Sequence, residues 1–114
     1  MPEPITNTDA PAVIAAIFDR TASIIRRNGW IQGDYYAPVG TPADCPVDIY
    51  GALNLAHGAE SPSHDIAPDS PAELALLRHL NVEYLGGWND DPDRTAEQVI
   101  AALENAARAE RERG

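Results

Sequence analysis

The sequence predicts a mainly all-α fold, a small bundle of about four helices joined by long ordered loops. Three observations predict it. Apolar residues recur at three- and four-residue steps in four separate segments, and two of those segments open on residue sets that cap helices. Between them lie stretches rich in Gly, Pro and aromatics that follow neither a helical nor a clean alternating period. No internal repeat is present. A chain of 114 residues has room for one domain and one core, and its folding should bury roughly 60% or more of the unfolded surface.

Residues 1–9, with Pro2 and Pro4 among small polar residues, read as a flexible arm, which leaves 10–113 as a single helical domain. Val13, Ile14, Ile17, Phe18, Thr21, Ile24 and Ile25 form the stripe of the first helix, with Asp9 as its expected N-cap. Gly29 is expected at C′ of a Schellman ending, which would lay Trp30 on Ile25. Residues 30–44 then form an ordered loop. Pro46 suits the first position of a second helix, with Cys45 before it, Asp48 in its first turn and Gly58 ending it.

The acidic, Pro-rich stretch from Ala59 to Asp69 should be the most mobile internal segment. Ser70, Pro71 and Glu73 give an N-cap, a Pro at N1 and a capping-box acid at N3, so a third helix starts there with Leu74, Leu77 and Leu80 toward the core and Asn81 as its stop. Gly86 and Gly87 are expected to turn the chain before Trp88. Thr95 and Gln98 open the last helix, whose apolar face is Val99, Ile100, Leu103, Ala106 and Ala107, with Glu104 pairing Arg108 one turn on. Whether residues 30–36 and 82–85 pair as a short β ribbon is left open by the pattern.

Composition excludes several chemistries. There is no Lys, hence no Schiff base to a carbonyl or pyridoxal cofactor and no phosphate-loop Lys. A net charge of -10 repels polyanions, and the Arg residues are scattered, which argues against nucleic acid as a partner. Cys45 is the only cysteine, so no intrachain disulfide or cysteine-rich zinc site can form. The start Met-Pro-Glu-Pro lacks a signal-peptide pattern and no stretch reads as a membrane span, so the expectation is a cytoplasmic protein without a membrane partner.

The segments G-W-I-Q-G at 29–33, Y-G-A-L at 50–53 and W-N-D-D-P-D-R-T-A-E-Q-V at 88–99 resemble, in that order, a family of unknown function made of short proteins from actinobacteria and their phages. The resemblance spans about residues 12–107. In one respect the chain departs from it: members often carry a Cys two or three residues before Gly-Ala-Leu, whereas Cys45 precedes Gly51 by six. The resemblance implies no activity.

Trp88, Asn89, Asp90 and Arg94 are the most site-like cluster, a Trp face, an amide, a carboxylate and a guanidinium ahead of a helix N-terminus. The simpler reading has an acid pair with Arg94 and cap a turn while Trp88 packs on the core. Trp30, Gln32, Tyr35 and Tyr36 could line a groove, against plain loop packing. A calcium loop over Asn89, Asp91, Asp93 and Thr95 fails, because Arg94 and Ile100 stand where Gly and Glu are required.

Cys45 at a helix N-terminus could have a lowered thiol pKa, yet His57 would lie roughly 17 Å along the same helix, beyond reach as a base. His57, His64 and Asp65 are better explained as a solvated loop than as a metal site. No catalytic set, metal or cofactor emerges. The sequence therefore points to a non-catalytic protein-binding or regulatory module, with homo-oligomerisation left open. The alternative is a small-molecule binder or small enzyme built on the Trp-Asn-Asp and Arg-Thr loop, and a second alternative is an acidic nucleic-acid mimic.

Overall fold

A computed structural model describes residues 10–114, and these are mainly helical. Five helices follow one another: α1 (Pro11–Asn28), α2 (Ile49–Ala56), α3 (Pro71–Leu80), α4 (Leu85–Asn89) and α5 (Ala96–Arg113). The fifth is one more than expected. Gly86 and Gly87 lie inside α4 instead of forming a turn. A Cβ on Gly86 would come within 2.5 Å of the Tyr84 ring, so the missing side chain lets that ring lie across the helix.

α1 and α5 pack side by side and in opposite directions. Arg26 pairs with Glu104 at 2.7 Å and Arg111 with Asp19 at 2.6 Å, so two steps of equal length run opposite ways along the two helices. These pairs are half exposed, and each contributes only about 0–1 kcal/mol; they set register more than stability. Glu104 therefore reaches across to α1, and Arg108 bonds Asn105 instead of Glu104. Phe18, Ile25, Val99 and Leu103 bury between the helices as the apolar stripes require. α2 packs on the remaining face of α1, where Arg20 donates to the Ala56 carbonyl and closes the C-terminus of α2.

The capping expectations are met in part. Thr95 and Gln98 form a complete capping box. Ser70 accepts from the Glu73 N–H, but the Glu73 carboxylate passes over the N-cap and accepts from the Asp69 N–H at 2.7 Å. Its other oxygen accepts a hydrogen bond from the Tyr50 hydroxyl. Those two bonds hold Glu73 inward and set the rotation of α3: Ala72, Ala75 and Leu76 bury, Leu77 and Leu80 are half-buried, and Leu74 stands 44% exposed, outside the expected face. Asn81 ends α3 in the left-handed conformation, as its residue type suggests. The N-cap position of α1 is Ala10, with Pro11 after it; Asp9, expected in that role, lies outside the described residues.

The start of α2 and the end of α1 differ from the sequence reading for one shared reason. Val47 bridges both Trp30 and Tyr36, its N–H donating to the Gly29 carbonyl and its carbonyl accepting from the Ile31 N–H, both at 3.0 Å. A residue using both backbone groups that way is extended. Pro46 is thus not the first helical residue, and Asp48 is the N-cap, accepting from the Gly51 N–H at 2.7 Å. Gly29 sits at φ 98°, ψ 160°, open to glycine but outside the left-handed helical region, so the Schellman ending does not form and the chain leaves α1 extended. Residues 30–36 therefore pair with Val47 and not with 82–85; among the described residues two isolated bridges replace a ribbon.

Candidate functional site

The two Trp-bearing segments meet, and Asn89 ties them together. Its side chain is fully buried at 0% exposure. Oδ1 accepts from the Trp30 indole N–H at 2.7 Å and from the Ile49 N–H at 3.1 Å, while Nδ2 donates to the Ile31 carbonyl and to Asp90 Oδ1. Gln32 Nε2 donates to the carbonyls of Asn89 and Asp91, and Asp90 Oδ1 also accepts from the Gly33 N–H. Arg94 lays its guanidinium 4.1 Å over the Trp88 ring, donates to the Trp88 carbonyl and stands 3.9 Å from Asp91. Among the described residues no buried side-chain nitrogen or oxygen lacks a partner. This cluster stitches the loop at 30–33 to α4 and to the N-terminus of α2.

Tyr35 and Tyr36 part company. In extended backbone successive side chains point opposite ways, and Tyr36 lines a cleft of about 200 Å³ with Thr41, Pro42, Cys45 and Ser61. Cys45 is 2% exposed and lies before an extended segment, not at a helix N-terminus. Burial pushes its thiol up, where a helix N-terminus would have pushed it down, and its S–H points to the Pro42 carbonyl. His57 caps α2 with Nδ1 on the Leu53 carbonyl, and among the described residues no trio of His, Cys, Asp or Glu is placed to hold a metal ion.

Tyr35 joins two residues that the sequence reading did not single out. Its ring stacks on Tyr50 at 5.9 Å between centroids and 25° between planes, and Tyr50 meets Tyr84 at 6.5 Å and 43°. The row runs from the first loop, across the N-terminal turn of α2, to the entry of α4. Tyr84, at 65% exposure, is its outer end. Two glycines make the row: the Tyr35 carbonyl lies so close to α2 that a Cβ on Gly51 would be 2.2 Å from it, and Gly86 admits the Tyr84 ring. The only sequence signal was Y-G-A-L and Y-L-G-G, a tyrosine one or two residues before a glycine in each, and periodicity does not reveal that such segments converge.

The field around the row is negative. Burial raises the Tyr50 hydroxyl first, and its bond to Glu73 raises it further; burial and then Asp65 and Asp48 raise Tyr35. Asp48, 5% exposed, is pushed up to about 7 by burial, with Asp90 and Asp34 adding to the rise and the N–H bonds from Gly51 and Tyr50 opposing it.

Among the described residues no helix is long and apolar enough to cross a membrane. Neither the curated proteins nor the solved structures contain a match to the chain. Comparison with protein families gives a match over residues 9–109, which takes in all five helices apart from the last turn of α5, both Trp segments and the tyrosine row, and on that span the chain belongs to the family of unknown function DUF6197.

Proposed function

We propose that this chain is a non-catalytic protein-binding module whose contact surface is the row Tyr35, Tyr50 and Tyr84. The observation that carries the reading is the placement of Tyr84, exposed over two glycines and tilted at its inner edge against the half-buried Tyr50 ring. Tyrosine suits such a surface because it offers large contact area with few torsions to immobilise, and a ring already packed against a neighbour loses less freedom on binding. The Trp loops, first candidates for that surface, serve as its foundation: Trp30 and Asn89 hold the loop that presents Tyr35 against α2. A small-molecule site built on Asn89 loses its support, since both amide heteroatoms are engaged within the fold. The resemblance to short actinobacterial and phage proteins, and a chain with one cysteine and hence no disulfide framework, favour a module acting in the cytoplasm of such a cell or of its phage-infected state.

Placing a photo-crosslinking amino acid at Tyr84, and separately at exposed Ser23 on α1, tests this in the native host. A discrete protein adduct from position 84 and none from position 23 is the expected result. No adduct at 84, or the same adducts from both positions, overturns it.

A further inference from the structure

We propose that the segment docking on the tyrosine row is arginine-bearing, with a guanidinium laid on the Tyr84–Tyr50 edge and forked toward the carboxylates beside it; this rests on the row being a binding surface. The chain contains its own precedent. Where Trp88 is half exposed, Arg94 covers the ring at 4.1 Å with Asp91 3.9 Å away. Ring, guanidinium and carboxylate together satisfy both the quadrupole of the ring and the charge of the acid.

The tyrosine row repeats two of those three parts. Rings are present, and Asp34 and Asp65 are exposed carboxylates, Asp34 next to Tyr35 in the chain and Asp65 near enough to its hydroxyl to raise it. None of them, nor buried Asp48 and Glu73, has an arginine of this chain within ion-pairing distance among the described residues. The cations that do form pairs, Arg26, Arg94, Arg111 and Arg113, are held by Glu104, Asp91, Asp19 and Glu110. The charged and polar neighbours that act most on the Tyr35 and Tyr50 hydroxyls are acids and other tyrosines, and all of them raise those hydroxyls. With no Lys in the chain and a net charge of -10, the complementary charge must come from the partner. Arginine fits better than lysine because a planar, weakly hydrated cation stacks on a ring and binds a carboxylate at the same time.

The test uses the full chain, the peptide Gly-Arg-Gly-Arg-Gly and its citrulline counterpart, which keeps the planar shape and loses the charge. Titration followed by NMR of the tyrosine ring protons should show saturable shifts at Tyr35, Tyr50 and Tyr84. Binding should weaken at least about fivefold with citrulline, and by a similar factor in the Tyr84→Ala variant. Equal binding of the citrulline peptide, or shifts spread over the acidic surface without saturation at the row, overturns the proposal. A crosslink from position 84 combined with either of those results leaves the docking surface standing and removes only the arginine. Absence of both crosslink and ring shifts removes the two together.

Discussion

The indole N–H of Trp30 donates to Oδ1 of Asn89 at 2.7 Å, joining residues 59 apart in sequence through a side chain with no exposed surface. The same oxygen also accepts from the first N–H of α2, so one amide holds the loop, α2 and α4 in a fixed relation. Replacing Asn89 by Ala strands the Trp30 and Ile49 donors in a dry site. Each buried unsatisfied group costs about 1–3 kcal/mol, so Asn89→Ala should lower unfolding free energy by about 3 kcal/mol, read as a fall in the urea midpoint at unchanged slope.

Gly51 stands where a strand-like segment and a helix approach through backbone alone. A Cβ there would lie 2.2 Å from the Tyr35 carbonyl oxygen, which is backbone and cannot swing away. Gly51→Ala should therefore destabilise by about 1–3 kcal/mol, in spite of the better helix propensity of Ala. A loss of Tyr35–Tyr50 ring contacts in NMR should accompany it. A neutral result would contradict the close approach.

Gly86→Ala should behave differently. The clash is with the outer atoms of the Tyr84 ring, an exposed side chain that can rotate aside. Stability should stay within about 1 kcal/mol of the parent, since the displaced contact and the gain in helix propensity oppose each other. Crosslinking from position 84 and peptide shifts at Tyr84 should fall all the same. Concurrent loss of fold would break that separation.

Asp48 makes stability depend on pH with a definite sign. Its carboxyl rises from 3.8 to about 7 on folding, so the folded chain holds a proton that the unfolded chain releases in between. The stability this contributes is full below pH 4 and is lost as pH rises to 7, by roughly 4 kcal/mol at most. Asp48→Asn keeps the acceptor for the Gly51 N–H without the charge. It should match the parent near pH 4 and exceed it increasingly up to pH 7.5, in urea unfolding across that range. A constant difference would show that the Asp48 carboxyl titrates alike in the folded and unfolded chain.

Glu110, 1% exposed near the end of α5, accepts from His79 at 2.6 Å and from Arg113 at 3.2 Å. Removing it leaves the mostly buried His79 without its partner, while the exposed Arg113 turns to water. Glu110→Ala should cost about 2 kcal/mol, and a double-mutant cycle with His79→Ala should show coupling of about 1 kcal/mol. Additive losses would mean that the contact contributes nothing.

Helices that can be identified from local chemistry were legible. The stripe of α1 and the Thr95–Gln98 box of α5 depend on neighbours within four residues, and the structure has them where the pattern places them. α3 was legible in its start and its stop, but its rotation was not, because Glu73 is drawn inward by Tyr50, 23 residues away. Pro46 looked like a helix start for the same local reasons, and Val47 overrode it by bonding to Gly29 and Ile31 while its neighbours Pro46 and Asp48 bond to Ala37 and Tyr35. Of the suggested site, Trp30, Gln32, Asn89, Asp90 and Arg94 do come together, and what pattern could not show is that Asn89 is used up within the fold.

The amino-acid order by itself determined a helical, acidic, Lys-free chain with one thiol, since composition, caps and apolar spacing act over a few residues. The tertiary structure alone decided which aromatics anchor the fold and which face outward. Both tryptophans carry the larger apolar surface and are drawn into half-buried places, whereas Tyr84 is left in water because its glycine neighbours give its ring a shelf and no enclosure. That choice depends on segments converging across tens of residues, where hydrogen bonds to single buried groups such as Asn89 outweigh local preference.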